Sequence, residues 1–148
     1  MDSLRVDSGI KKIEVNDNGE YIEIPISDTA FYEKFGALLK HFEQKQAEIE
    51  KQAAELEEKH KDKPDNDTDM IIDTVTLYSG LCKDICAELD RLFGAGCCKK
   101  VFVGIDTPST ELIGDFFEQI TPLLQKYAQE RNEKINLKYN RNRKGSRG

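Results

Sequence analysis

Residues 29–61 read TAFYEKFGALLKHFEQKQAEIEKQAAELEEKHK, and this stretch decides the fold. The segment Ser27-Asp28-Thr29 is typical of a helix N-cap, so a helix is expected over about 29–61. Apolar residues repeat along it at every seventh position, namely Phe35, Phe42, Ile49 and Leu56. This spacing predicts a coiled-coil-like stripe. Beyond Phe42 the stripe thins among Gln, Glu and Lys, so the second half of the helix is expected to protrude as an arm.

The stretch before this helix predicts a β-hairpin over residues 11–25, KKIEVNDNGEYIEIP. Asn18-Gly19 supplies the two positive-φ residues that a two-residue type I′ turn needs. The facing pairs would then be Val15 with Ile22 and Ile13 with Ile24, all on one face. Because an isolated hairpin is only marginally stable in water, this apolar face is expected to pack on the helices or on another subunit.

Two further helices are predicted downstream. Apolar residues recur at spacings of three and four over about 69–93, where glycines follow and end the helix. The third helix covers about 108–130, with Thr107 as its N-cap and Pro108 at its first position. Pro122 lies inside that pattern and predicts either a kink or two consecutive short helices.

Together these elements predict an α+β fold that is mainly α: an N-terminal hairpin, a long amphipathic helix and two further helices, the last kinked at a proline. A chain of 148 residues suits one core, so residues 1–130 are expected to form a single domain. Residues 131–148 carry seven basic residues against Glu133, and we predict a disordered basic tail there. The tail is thus +6 and the body is −12, which sum to the formal net charge of −6.

No catalytic, cofactor-binding or metal site is predicted. Cys82 and Cys86 lie four residues apart in a helix and Cys97-Cys98 are adjacent, unlike the paired spacing of zinc folds. In an unexported chain all four are expected to be reduced thiols, because the cytosol is reducing. His41 and His60 fall on the polar side of the long helix. No nucleophile or phosphate-loop motif is present. We therefore expect a protein that is not an enzyme.

No run of about 20 apolar residues is available to cross a membrane, and the N-terminus lacks the apolar core of a signal peptide. The sequence accordingly predicts a cytoplasmic protein.

Two groups of residues are candidates for binding another protein. One comprises aromatic residues on helical stripes, which equally suit a core: Phe31, Phe35, Phe42, Phe116 and Phe117. The other lies in the tail: Tyr139, Arg141, Arg143 and Lys144. The tail has three possible uses, which are binding nucleic acid phosphates, binding an acidic protein surface, or only keeping the chain in solution. Because the acidic body would repel a duplex, nucleic acid is not the expected partner.

Several phrases of the sequence resemble one known family. The first phrases are IEVNDNGEYIEI at the hairpin and FYEKFGALL at the start of the long helix. Another is a motif of the form L-D-x-x-F-G-x-G-x-x-x-K-V-F-G, matched here by Leu89-Asp90, Phe93-Gly94, Gly96, Lys100-Val101-Phe102 and, displaced by one residue, Gly104. Over roughly residues 4–130 the chain is similar to the small tail assembly chaperones of tailed bacteriophages of Gram-positive hosts.

This resemblance implies a chaperone of virion morphogenesis in the bacterial host cytoplasm. Such a protein would bind the tape measure protein and the tail tube protein, and a homo-oligomer is compatible with the role. Two alternatives stay open. One is a coiled-coil adaptor or regulatory protein that self-associates through the long helix. The other is a nucleic-acid-binding accessory protein that uses the basic tail.

Overall fold

The structure, a computed structural model, describes residues 1–62 and 68–145, with the backbone alone for residues 134–145. Along these residues two strands precede four helices, so the predicted α+β, mainly α fold is confirmed, with 67% helix and 8% strand. In chain order the elements are β1 (Ile10–Glu14), β2 (Tyr21–Pro25), α1 (Thr29–Lys59), α2 (Thr68–Phe93), α3 (Cys97–Val101) and α4 (Thr110–Gly145).

The hairpin forms over the predicted residues, but the predicted register is wrong by two residues. Ile22 lies opposite Ile13 rather than Val15, and Ile24 lies opposite Lys11. A shift of two keeps every side chain on its original face, because the side-chain period of a strand is two. Ile22 and Ile24 are therefore still buried in the core.

The turn causes this shift. No non-glycine residue of the described chain has a positive φ, so Asn18 cannot take part in a type I′ turn. Instead the Asn16 side-chain oxygen accepts the backbone N–H of Asn18 at 2.9 Å. The backbone N–H of Val15 donates to the carbonyl of Glu20 at 2.9 Å, which leaves residues 16–19 as a four-residue loop.

Helices α1 and α2 pair as an antiparallel helical hairpin. Within the predicted cap segment 27–29, the residue that caps α1 is Asp28, whose Oδ1 accepts the N–H of Ala30 at 3.0 Å. At one end of the pair the rings of Phe31 and Phe93 are 5.5 Å apart. At the other end His60 Nε2 lies 4.0 Å from Asp73 Oδ2. We call residues 50–59 of α1 and 68–78 of α2 the arm.

The connection from α2 to α4 differs from the prediction. Residues 97–101 form the short helix α3, which was not predicted. α4 begins at Thr110 and not at Pro108, because the hydroxyl of Ser109 accepts the N–H of Leu112 at 3.3 Å and its carbonyl accepts that of Ile113. Ser109 is therefore the N-cap.

Pro122 lies inside α4, which runs as one element from Thr110 to Gly145. The alternative of two consecutive short helices is therefore wrong. Proline lacks an N–H, so the carbonyl of Glu118 loses its helical donor, and the kink stays a prediction. The hydroxyl of Thr121 donates to the carbonyl of Phe117 at 2.6 Å, in the same helical turn as Glu118.

The backbone of residues 131–145 is helical, which differs from the predicted flexible tail. The sequence has no glycine or proline between Pro122 and Gly145, so no helix-breaking residue stops α4 earlier. Residues 146–148 of the predicted tail and residues 63–67 of the predicted loop lie outside the described residues.

All seven phenylalanines of the protein are buried in one core. The Phe93 ring lies 5.6 Å from Phe116, and the Phe117 ring lies 5.4 Å from Phe42. Edge-on and tilted ring pairs of this kind stabilise a core beyond the area that they bury. The cluster joins α1, α2 and α4, and Ile22 and Ile24 of the hairpin belong to the same core.

Candidate protein-binding surface

The five phenylalanines that were candidates for partner binding lie in the interior. Their side chains are between 2% and 8% exposed: Phe31, Phe35, Phe42, Phe116 and Phe117. They contact one another and the core, so a partner at the surface does not reach them. The four tail candidates lie in the part of α4 whose backbone alone is described: Tyr139, Arg141, Arg143 and Lys144.

The L-D-x-x-F-G-x-G motif builds the corner between α2 and α3. Asp90 Oδ1 accepts the backbone N–H of Cys98 at 2.9 Å, so a side chain of α2 caps the first turn of α3. Gly96, the N-cap residue of α3, has φ +82 and supplies no side-chain cap. Gly94 has φ +109, a conformation that favours glycine. The motif thus has a structural role in this chain.

The same corner holds the hairpin. The Asn16 side-chain amide donates to the carbonyl of Lys100 at 2.9 Å. Lys100 Nζ in turn lies 3.5 Å from the carbonyl of Tyr21. These bonds tie the hairpin to α3. Asn16 and Lys100 are 84 positions apart in the sequence. Neither contact was predicted from the sequence, because nothing local marks a contact between distant segments.

The four cysteines are free thiols grouped around the α2–α3 corner. The Cys98 thiol donates to the backbone carbonyl of Cys86 at 3.6 Å. Its interaction with the Cys86 thiol lowers the pKa of Cys86 and raises the pKa of Cys98. Burial raises the pKa of Cys97 to about 12 and also raises the pKa of Cys82. Cys86 is therefore the most readily ionised of the four. Within the described ranges no group of three or more Cys, His, Asp or Glu side chains is arranged to hold a metal ion.

A hollow of about 550 Å³ lies between α1 and α2 on the body of the protein. Its polar lining comprises Lys34, His41, Glu88 and Arg91. These charges are mixed in sign, and a hollow of mixed charge does not by itself select an anion or a cation. For the described parts of the chain, no helix is both long enough and apolar enough to span a bilayer.

The arm carries an apolar strip that nothing covers among the described residues. Ile71, Ile72 and Val75 of α2 are 55%, 56% and 60% exposed. We call these three residues the open seam. Most large exposed apolar side chains in soluble proteins are scattered singly, whereas these three are neighbours on one helix.

The open seam continues the buried face of α2. Ile71 and Val75 lie at helical spacing from Cys82 and Leu89, which are 2% and 0% exposed. Toward the body α3 and α4 pack beside this face, and the ring of Phe116 contacts Phe93 there. On the arm the corresponding position next to α1 and α2 is not filled by any described residue, so the arm resembles a three-helix bundle without its third helix.

One side of α1 is acidic. Glu43, Glu50 and Glu57 follow one another at seven-residue spacing along α1, and all three are exposed. Residues seven apart lie on one side of a helix. Within the described part of the chain none of the three forms an ion pair, whereas Glu48 and Glu58 pair with Lys45 and Lys61. We call Glu43, Glu50 and Glu57 the acidic flank.

Two signals in the sequence point to this surface. Adjacent isoleucines at 71 and 72 project about 100° apart on a helix, so a single neighbouring helix cannot bury both. The seven-residue repeat of glutamates runs in parallel with the apolar repeat of α1. The predicted coiled-coil-like stripe rested on the apolar repeat alone.

One protein-family model matches residues 18–148, and it is described as a family of unknown function (DUF6673). The match covers β2, all of α1 to α3 and the described part of α4. No curated protein and no solved structure matches the chain.

Proposed function

Since this chain belongs to the DUF6673 family of unknown function, we propose from its own residues that it is a phage tail assembly chaperone that binds the tape measure protein and the tail tube protein. The observation that carries this proposal is the open seam. An exposed apolar strip on a pair of helices is a surface to which the apolar face of a third helix binds.

The composition of the chain supports a chaperone that acts by covering its client. A long helical client such as a tape measure protein exposes apolar stripes until it is assembled, and such stripes promote aggregation. Packing one apolar stripe of the client against the open seam would remove the apolar surface of both proteins from water. The acidic body, at −12, would keep the complex dispersed by charge repulsion.

The resemblance in sequence gives a second support. The motif from Leu89 to Gly104 that suggested the family forms an ordered corner, in which Asp90 caps α3 and Lys100 contacts the hairpin. A motif that shapes the fold fits a binding protein, because such a protein needs a rigid scaffold beside its binding surface. The host cytoplasm is part of this proposal, since tails assemble there.

Co-expression tests the proposal. The chain is expressed with a long helical tape measure protein and a tail tube protein, and the soluble fraction of the long protein is measured together with co-purification. We expect the long protein to become soluble and to co-purify. If the long protein is equally soluble with and without this chain, the proposal is contradicted.

Matched variants test the surface. Ile72→Glu combined with Val75→Glu is expected to abolish co-purification without changing the circular dichroism spectrum, because both side chains are exposed. Val103→Glu is the control, since Val103 is an equally exposed apolar residue, at 53%, outside the arm. If both proteins bind the client alike, the open seam is not the client site.

A further inference from the structure

The two strands of the hairpin have different surroundings at their outer edges. β1 is exposed at every residue except the half-buried Ile13, whereas Ile22 and Ile24 of β2 are buried. The outer edge of β2 faces α3, where Lys100 Nζ lies 3.5 Å from the carbonyl of Tyr21. Within the described residues the sheet consists of these two strands, so no further strand covers β1. We call the outer edge of β1 the free edge.

The hydrogen-bond pattern of the hairpin shows which backbone groups the free edge presents. The N–H of Val15 donates to the carbonyl of Glu20, so these two residues form a hydrogen-bonded pair. Such pairs alternate along antiparallel strands, so the residues of β1 bonded to β2 are Lys11 and Ile13. Pro25 fits this pattern, because it has no N–H to donate and falls at a non-bonded position. Three residues of β1 therefore turn their N–H and C=O groups outward: Ile10, Lys12 and Glu14.

These outward groups have no partner among the described residues. No hydrogen bond from outside the sheet reaches the backbone of the three residues. The preceding segment, residues 1–9, forms no strand, and its last residue, Gly9, lies beside Ser27 beyond the end of β2. The segment therefore does not fold along β1. An exposed edge with unpaired N–H and C=O groups is a surface to which another strand binds.

An apolar groove of about 360 Å³ lies between β1 and α4. Its walls include Ile13 and Val15 on the β1 side and Leu112 and Leu123 of α4, and all four side chains are half-buried. β2 contributes Ile22 alone to the lining, so the groove lies toward the free edge. A strand added to β1 would lie over this groove and turn every second side chain toward α4.

The sequence of β1 complements itself in one antiparallel register. When a two-fold axis relates two copies of β1, the register is defined by the residue that meets its own copy on the axis. With Lys11, Lys12 or Glu14 on the axis, like charges lie directly opposite each other, which destabilises the pair. With Ile13 on the axis, Lys12 of each copy lies opposite Glu14 of the other, and Ile13 lies opposite Ile13. Opposite charges and apolar side chains are the pairs that stabilise antiparallel strands.

We propose that two copies of this chain form a dimer by pairing their β1 strands antiparallel, with Ile13 opposite Ile13 on the two-fold axis. Lys12 of each copy exchanges backbone hydrogen bonds with Glu14 of the other. Ile13 and Val15 of each copy cover the groove of the other. The result is a four-stranded sheet in the order β2–β1–β1–β2, which is more stable than a lone hairpin. This surface is separate from the open seam, so the inference goes beyond the proposed function and stands without it.

Light scattering on the purified full chain, over a range of protein concentrations, measures association directly. We expect the mass to reach twice that of the 16.9 kDa chain as the concentration rises. Lys12→Pro removes an outward N–H and no bond within the hairpin, so this variant is expected to stay monomeric with an unchanged circular dichroism spectrum. A wild type that is monomeric at every concentration overturns the proposal. A dimer that Lys12→Pro leaves intact also overturns it.

Charge reversal tests the register. Lys12→Glu places glutamate opposite Glu14 of the other copy, and Glu14→Lys places lysine opposite Lys12. Each single variant is expected to raise the dimer dissociation constant about tenfold or more, because attraction becomes repulsion and the pair occurs twice in each dimer. The double variant, Lys12→Glu with Glu14→Lys, restores opposite charges and is expected to dimerise like the wild type.

The double variant also serves as a control for the hairpin. It has the same substitution opposite Glu23 of β2 as the single variant Lys12→Glu, so any weakening of the hairpin itself is common to both. Lys51→Glu, at an exposed position of α1, changes the net charge equally and is expected to dimerise like the wild type. A double variant that stays monomeric, or an equal loss in Lys51→Glu, would overturn the proposed pairing.

A cross-link identifies the residue on the axis. Non-bonded residues that face each other across antiparallel strands have Cα atoms about 4.5 Å apart, which a disulfide can span. Ile13→Cys is therefore expected to give a disulfide-linked dimer when glutathione disulfide is the oxidant. Ile10→Cys, which does not meet its own copy in this register, is the control, and the wild type gives the background from the four native thiols. Equal cross-linking at the two positions on a non-reducing gel contradicts the register.

Discussion

The side-chain amide of Asn16 in the hairpin loop donates a 2.9 Å hydrogen bond to the backbone carbonyl of Lys100 in α3. The same side chain organises its own loop, because its oxygen accepts the N–H groups of Asn18 and Glu20. One residue therefore sets the shape of the loop and attaches it to the helical body. This double role makes the hairpin part of the fold, although a two-stranded sheet alone is only marginally stable.

Substitution of Asn16 separates these two roles. Asn16→Asp keeps the oxygen that organises the loop and loses the donor to Lys100, so we expect the free energy of unfolding to fall by about 1–2 kcal/mol. Asn16→Ala loses both roles and is expected to cost more. Urea denaturation measures the change, with Asn18→Ala as the control in the same loop. A urea denaturation midpoint for Asn16→Asp equal to that of the wild type would show that the bond to Lys100 contributes nothing to stability.

Asp90 is predicted to stabilise α3 as a cap supplied by another helix. Asp90→Ala leaves the N–H of Cys98 without its acceptor, so the free energy of unfolding is expected to fall by about 1–2 kcal/mol. Asp90→Asn retains an acceptor oxygen and is expected to lose less. Thermal and urea denaturation of the two variants gives the comparison, and equal losses would mean that the cap acts by charge alone.

Substitution of a core residue is predicted to lower the free energy of unfolding far more than substitution of a residue of the open seam. Phe117→Ala removes a ring packed against Phe42 and Phe35, and should lower the free energy of unfolding by about 3–5 kcal/mol. Ile72→Ser removes an exposed side chain and should change it by less than about 0.5 kcal/mol in purified monomer. A large loss for Ile72→Ser in monomer would mean that the strip is covered within the chain.

Stability should decline in alkaline solution partly because of Cys97. Its thiol has a pKa of about 12 in the folded protein, whereas an unfolded chain ionises a cysteine near about 8.5. Between these values the unfolded state binds fewer protons, so the free energy of unfolding falls as the pH rises. The contribution of the thiol is fully present below about pH 8.5 and is lost toward pH 12.

Urea denaturation from pH 8 to pH 11 measures this effect in the wild type and in Cys97→Ser. Serine does not ionise in this range, so the variant should show a shallower decline, by up to about 1.4 kcal/mol per pH unit. A constant offset between the two proteins is expected from the change of side chain and does not bear on the result. Parallel curves would contradict the assignment to Cys97.

The amino-acid sequence alone determined the kind and the position of the main elements. Helix α1 begins after Asp28 of the predicted cap segment, and α2 ends at Phe93 before the predicted glycine stop. These features depend on interactions between residues a few positions apart, such as a cap bond or the repeat of apolar side chains. Local interactions of this kind can be predicted from the order of the residues alone.

Only the tertiary structure decided what covers each apolar face. The same spacing that buries Leu89 in the body leaves Val75 exposed on the arm, because α4 contacts one end of α2 and not the other. The bond from Asn16 to Lys100 and the cap from Asp90 to α3 likewise join separate segments. Periodicity tells which face of a helix is apolar, whereas the neighbour on that face depends on the path of the whole chain.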